Sequence, residues 1–125
     1  MPARKPVEAH SLYEEKMNAG DLEGLCDLFT DDAVIVPQPG TEPISGMQEI
    51  REFKKGFFAL NPTISMETKF IVEYGDIALL RSKWHFTGTT ADGEAVDMTH
   101  NGTEIVQRQS DGSWKYIIDH PFGAD

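Results

Sequence analysis

After Asn61-Pro62 no helical period survives in this chain. Residues Thr63 to Tyr74, Ile77 to Thr87, Ala95 to Gln109 and Trp114 to His120 read as strands, separated by Gly75-Asp76, Asp92-Gly93 and Asp111-Gly112. Asp-Gly pairs supply the positive φ that tight hairpins require, so the second half predicts an antiparallel meander. Ahead of it the period is helical. Val7, His10, Tyr13 or Glu14, and Met17 share one face of a helix running from about Pro6 to Ala19. Gly20 stops it, and Asp21 caps a second, amphipathic helix carrying Leu22, Leu25, Cys26 and Phe29 at helical spacing. Ala33 to Pro37 reads as a short strand, and the prolines at 37, 39 and 43 as an irregular connection. Ser45, with Gln48 as capping box, opens a third helix whose inner side is Met47, Ile50, Phe53 and Phe57. Helices first and hairpins after predict an α+β domain: three N-terminal helices packed on a curved, mostly antiparallel sheet, with a hollow between them. We expect one domain over residues 1–125, its first six residues a loose arm.

Charge narrows the partners. The chain carries 11 basic and 21 acidic residues, a formal net charge of -10. Nucleic acid and anionic membrane surfaces both call for a basic footprint, so neither is an expected partner. No run approaches the roughly 20 apolar residues of a membrane span, and the N-terminus lacks a secretory apolar core, so a cytoplasmic location is the expectation. Cys26 is the only cysteine and reads as a small core residue. No phosphate-binding glycine loop or dinucleotide fingerprint occurs, and His100, Asn101 and Glu104 alternate faces of one strand. The expectation is therefore no metal and no cofactor.

The stretch NAGDLEGLCDLFTDDAVIV (Asn18–Val36), followed by GTEPISGMQEIREF (Gly40–Phe53), resembles the bacterial ketosteroid isomerases. GDIALLRSKWHFTGT and DGSWKYIIDH resemble the broader SnoaL-like group, and the D-G-x-W ending is shared with the association domain of calcium/calmodulin-dependent kinases. Together they cover about Val7 to His120 and imply the cone of the nuclear-transport-factor-2-like (NTF2-like) superfamily. That fold hosts isomerases, cyclases, dehydratases and association modules, so function must be argued from the site.

The resemblance implies three catalytic candidates. Tyr13, eight residues before Asp21, falls at the isomerase's oxyanion tyrosine; otherwise it is a core tyrosine. Glu104 falls at the protonated acid that donates beside it; otherwise it faces solvent or pairs with Arg108. The general-base position is Pro37, followed by Gln38, and neither accepts a proton. Asp119 is the substitute base, or else a salt-bridged strand end.

Which strand face lines the hollow is open in the sequence. Ala78, Leu80, Ser82, Trp84 and Phe86 form one face of their strand; Leu79, Arg81, Lys83 and His85 form the other. Periodicity alone turns the apolar face inward. The resemblance implies the reverse, with Lys83, His85, Glu104, Asp119 and Ile117 lining the pocket, Ile35, Phe53, Phe57 and Val106 as its apolar wall, and Trp84 and Trp114 outside under a second subunit. The expected ligand is a small organic molecule held by a homodimer that pairs through its outer sheet face. The expected function is an isomerase, cyclase or dehydratase acting on a carbonyl-containing or polyketide-like compound; the alternative is a non-catalytic dimeric ligand-binding or association module.

Overall fold

A computed structural model describes residues 2–125. A single turn of 3-10 helix (Pro6–Glu8) leads into α1 (Ala9–Asn18), then α2 (Leu22–Cys26), β1 (Phe29–Ile35), the two-residue β2 (Ile44–Ser45) and α3 (Met47–Phe58). Four long strands follow: β3 (Thr63–Tyr74), β4 (Ile77–Thr89), β5 (Ala95–Arg108) and β6 (Trp114–His120). They form one six-stranded sheet in the order β2-β1-β6-β5-β4-β3, antiparallel except for the parallel pair β1–β6. The sheet is open, and the helices cover its concave face, α1 against β3 and α3 against β1 and β2. This is the expected α+β cone.

Local chemistry explains the breaks. Asp21 caps α2 by accepting from the Gly24 amide at 2.8 Å. The third helix starts one residue later than its sequence suggests: Gly46, at φ 95°, is the N-cap, and Glu49 Oε2 accepts from the Ser45 amide at 3.1 Å in place of a Ser45–Gln48 box. Of the opening residues, read from sequence as an arm, Ala3 is buried and forms a bridge with Trp114.

One stripe of α1 fixes the helix to an exposed sheet edge. β3 is an edge strand, and unpaired edge amides invite foreign strands. Asn18 grips Ile64 from both sides, donating to its carbonyl at 2.9 Å and accepting from its amide at 2.7 Å. Glu14 Oε1 accepts from the Met66 amide at 2.7 Å. His10, the next residue up the stripe, meets Thr68 Oγ1 at 2.7 Å. These ties set how deep the inner face of α1 sits in the cone.

Strand faces follow burial. Ala78, Leu80, Ser82, Trp84 and Phe86 are buried on the concave face, while Lys83 and His85 are exposed on the convex face, where His85 pairs with Asp97. The parity implied by the resemblance is therefore reversed on β4. The concave face packs against three helices, and burying an apolar row there outweighs any gain from directing lysine and histidine inward. Trp84 and Trp114 are inside, not at an outer interface. On β6 a bulge changes the reading again. Ile118 pairs with Ile105 and Tyr116 with Val106, so Ile117 is the extra residue. Tyr116 and Asp119 thus both turn inward although three positions apart, and Ile118 faces out.

Candidate functional site

The hollow of the cone is lined by Met17, Phe53, Phe57, Ile64, Met66, Trp84, Phe86 and Pro121 on its walls and by Tyr13, Lys54, Glu104, Tyr116 and Asp119 around its polar end. Counted together with the open solvent at its mouth, the space between these side chains is about 500 Å³. Phe53, Phe57 and Phe86 meet edge to face, with centroids 5.1 and 5.6 Å apart, and form an aromatic wall.

The polar end is two linked clusters. In the first, Lys54 Nζ donates to the Tyr13 hydroxyl oxygen at 2.7 Å and to Asp119 Oδ2 at 3.2 Å. The Lys54 side chain is 1% exposed. Burial works against its charge, yet the Tyr13 oxygen and the Asp119 carboxylate hold its pKa above the ordinary 10.5, so it is an ammonium at neutral pH. Its nitrogen also lies 4.9, 5.2 and 5.4 Å from the ring centroids of Tyr13, Phe29 and Phe53. Burial pushes the Tyr13 phenol above its ordinary 10.0 against the pull of Lys54. Tyr13 therefore keeps its proton, and because its oxygen already accepts from Lys54, its O–H is a polarised donor.

In the second cluster, His10 Nε2 and Glu104 Oε1 are 2.5 Å apart, and Ser82 donates to Glu104 Oε2 at 2.9 Å. Burial raises the Glu104 carboxyl, helped by the charge of Asp119 and opposed by His10 and Ser82. Glu104 and Asp119 are opposite one another across β5 and β6, which links the two clusters.

Of the residues expected from sequence, Tyr13, Glu104, Asp119, Phe53 and Phe57 surround this one cavity. Ile35 and Val106 are fully buried in the core behind it, and Ile117, the bulge residue, is only partly buried and absent from its lining. Lys83 and His85 lie on the opposite face of the sheet, because strand parity is set by core burial. Pro37 follows the end of β1 and does not line the cavity. Arg108 pairs with Asp76, leaving Glu104 to His10.

Three central residues, Lys54, His10 and Tyr116, were not among the site residues expected from sequence. Lys54 is one helical turn beyond Ile50 and lies between Phe53 and Phe57, so helical spacing alone places it on the inner face. A lysine is ordinarily read as solvated, and only its partners, 41 and 65 residues distant, reveal otherwise. His10 lies on the inner face of α1, but its partner is 94 residues away.

The described residues contain no helix long and apolar enough to cross a membrane. Among solved structures, a conserved protein from Planctomyces limnophilus superposes with TM-score 0.80 at 21% identity, covering 91% of this chain and 89% of its own. A ketosteroid isomerase-like protein from Erwinia carotovora atroseptica gives TM-score 0.79 at 24% identity, covering 91% and 89%. An NTF2-like superfamily protein from Salmonella enterica gives 0.77 at 19%, covering 90% and 84%. At these identities the likeness is one of fold. The SnoaL-like domain pattern matches residues 9–117, nearly the whole cone, and the chain belongs to the SnoaL-like domain family.

Proposed function

We propose that this chain binds a small, mostly apolar carbonyl compound in the hollow of the cone and transfers a proton on it. The observation that carries this reading is the burial of Lys54, Glu104 and Asp119 with Tyr13 at one end of an aromatic-walled cavity. Buried ionic groups seldom improve stability over an apolar core of equal volume, and they gather where chemistry is done. In this reading Tyr13, polarised by Lys54, donates to the carbonyl oxygen and stabilises it as an enolate. Asp119 gives one oxygen to Lys54, and its other oxygen takes no hydrogen bond from the described residues, which leaves it to accept a proton from the neighbouring carbon. Glu104, in contact with His10, is the second group able to hold a proton. Isomerisation, ring closure and dehydration can all begin with that proton transfer. With Pro37 at the isomerase base position, the steroid reaction itself is not expected.

The test needs no native substrate. β-Tetralone in deuterated water should exchange the protons beside its carbonyl faster with the protein than without it. Asp119→Asn should lower that excess by roughly a hundredfold. Binding without exchange would favour the second reading, a non-catalytic ligand-binding module, for which the occupied base position of Pro37 speaks. We further propose that two copies pair through the convex sheet face. Phe70, Val72, Tyr74, Ile77 and Ile118 are exposed there, and register places Val72, Leu79, Ile105 and Ile118 in one row across four strands.

A further inference from the structure

Among the described residues, one side chain at the polar end of the cavity has no hydrogen-bond partner at all. Tyr13, Lys54, Glu104 and Asp119 all have partners. Tyr116 lines the same cavity and is 2% exposed, yet its hydroxyl has no hydrogen-bond partner among the described residues. Two other buried polar atoms lack partners among the described residues, Arg81 Nε and His120 Nδ1, and neither residue lines the cavity. A buried hydroxyl deprived of water and of a partner is costly, and most such groups in native proteins are satisfied. Nothing prevents Tyr116 from being replaced by phenylalanine for packing alone: its ring stacks on Phe29 at 5.0 Å and meets Tyr13 edge-on at 6.1 Å. The oxygen is what packing leaves unexplained.

We propose that Tyr116 is a ligand-binding residue whose hydroxyl donates, alongside Tyr13, to an oxygen of a neutral carbonyl ligand. This deepens the reading above and rests on it. Three features select the ligand class. The ring is packed in a triangle with Tyr13, edge-on, and Phe29, stacked, so its hydroxyl is positioned before a ligand arrives. Burial, with the charges of Glu104 and Asp119 adding to it, raises the phenol well above 10.0, so it remains a donor rather than an anion. A carboxylate ligand would face both Glu104 and Asp119, with one ammonium, Lys54, already paired to Asp119. A neutral ketone, lactone or enone takes the two phenol donors without that repulsion.

Three matched probes test it: acetophenone, benzoate and ethylbenzene. Their affinities, and the infrared C=O stretch of bound acetophenone, are read on wild type, Tyr116→Phe and Tyr13→Phe. Acetophenone should bind wild type more tightly than benzoate at neutral pH, with its C=O stretch lowered. Tyr116→Phe should weaken acetophenone roughly tenfold, the loss of one hydrogen bond, and return part of the frequency shift. Ethylbenzene affinity should not change, which controls for an intact cavity. Should acetophenone bind Tyr116→Phe with unaltered affinity and frequency, the role given to Tyr116 is wrong while the cavity remains a binding site. Preference for benzoate would overturn the neutral-ligand assignment. Failure of both acetophenone and ethylbenzene to bind wild type would overturn this inference and the ligand-binding reading together.

Discussion

At the scale of single residues, the site is a matter of which charges burial leaves standing. Glu104 is held by His10 from α1 and Ser82 from β4, with Asp119 of β6 beside it. Burial raises its carboxyl above the ordinary 4.5. A raised carboxyl binds its proton more tightly in the folded chain than in the unfolded one. Its contribution to stability is therefore complete below 4.5 and is lost as pH climbs through the raised value. Urea unfolding of wild type and Glu104→Gln over a pH series should show wild type losing stability relative to the variant across that window. The expected loss is about 1.4 kcal/mol per unit of displacement. Parallel profiles would mean that Glu104 titrates normally and that His10 compensates its burial in full.

At the scale of elements, backbone register decides which side chains can meet. The bulge at Ile117 brings Tyr116 and Asp119 to one face, and the bulge at Lys69 leaves Thr68 facing inward toward His10 while Phe70 turns out. Gly102 on β5 exists for the same cluster. A Cβ there would lie 2.6 Å from Ser82 Oγ and closer still to Glu104 Oε2. Gly102→Ala should cost about 1–3 kcal/mol by overpacking, measured by denaturant unfolding. Adding Ser82→Ala should restore part of it, since the two changes share one space. Strict additivity of the two would show that the Ser82–Glu104 contact is not what excludes a side chain at 102.

At the scale of the whole molecule, one end of the convex face, around Val72, Leu79, Ile105 and Ile118, keeps an apolar row after the concave face has been filled. Val72 is 55% exposed and Ile118 38%. Sedimentation velocity should show a dimer for wild type and a monomer for Val72→Lys with Ile118→Asp, with ligand binding in the cavity retained. The tryptophan emission of Trp84 and Trp114 should stay blue-shifted at every protein concentration, because both side chains are buried within one chain. Emission that shifts red on dilution would place a tryptophan at the interface, where the opposite strand parity would have put it. A monomeric wild type would leave the convex face without its proposed occupant.

The three helices, the four long strands and their hairpins were legible in order, because helical period, Asp-Gly turns and the Asp21 cap are local chemistry that acts within a few residues; β2 and the start of β1 at Phe29 carry no such local signal and were missed. Helical period marked Phe53, while Tyr13, Glu104 and Asp119 were marked only by what the resemblance to the isomerases implies. The faces of β4 and β6 were settled by packing between distant elements. Alternation leaves two parities, and the choice belongs to the helices packed on the concave side and to the bulge at Ile117. Only the tertiary structure revealed Lys54 and His10 as buried partners of Tyr13, Asp119 and Glu104. A charged side chain enters a core when its counter-charge is already there, and that meeting of distant residues is not written in the neighbourhood of either one.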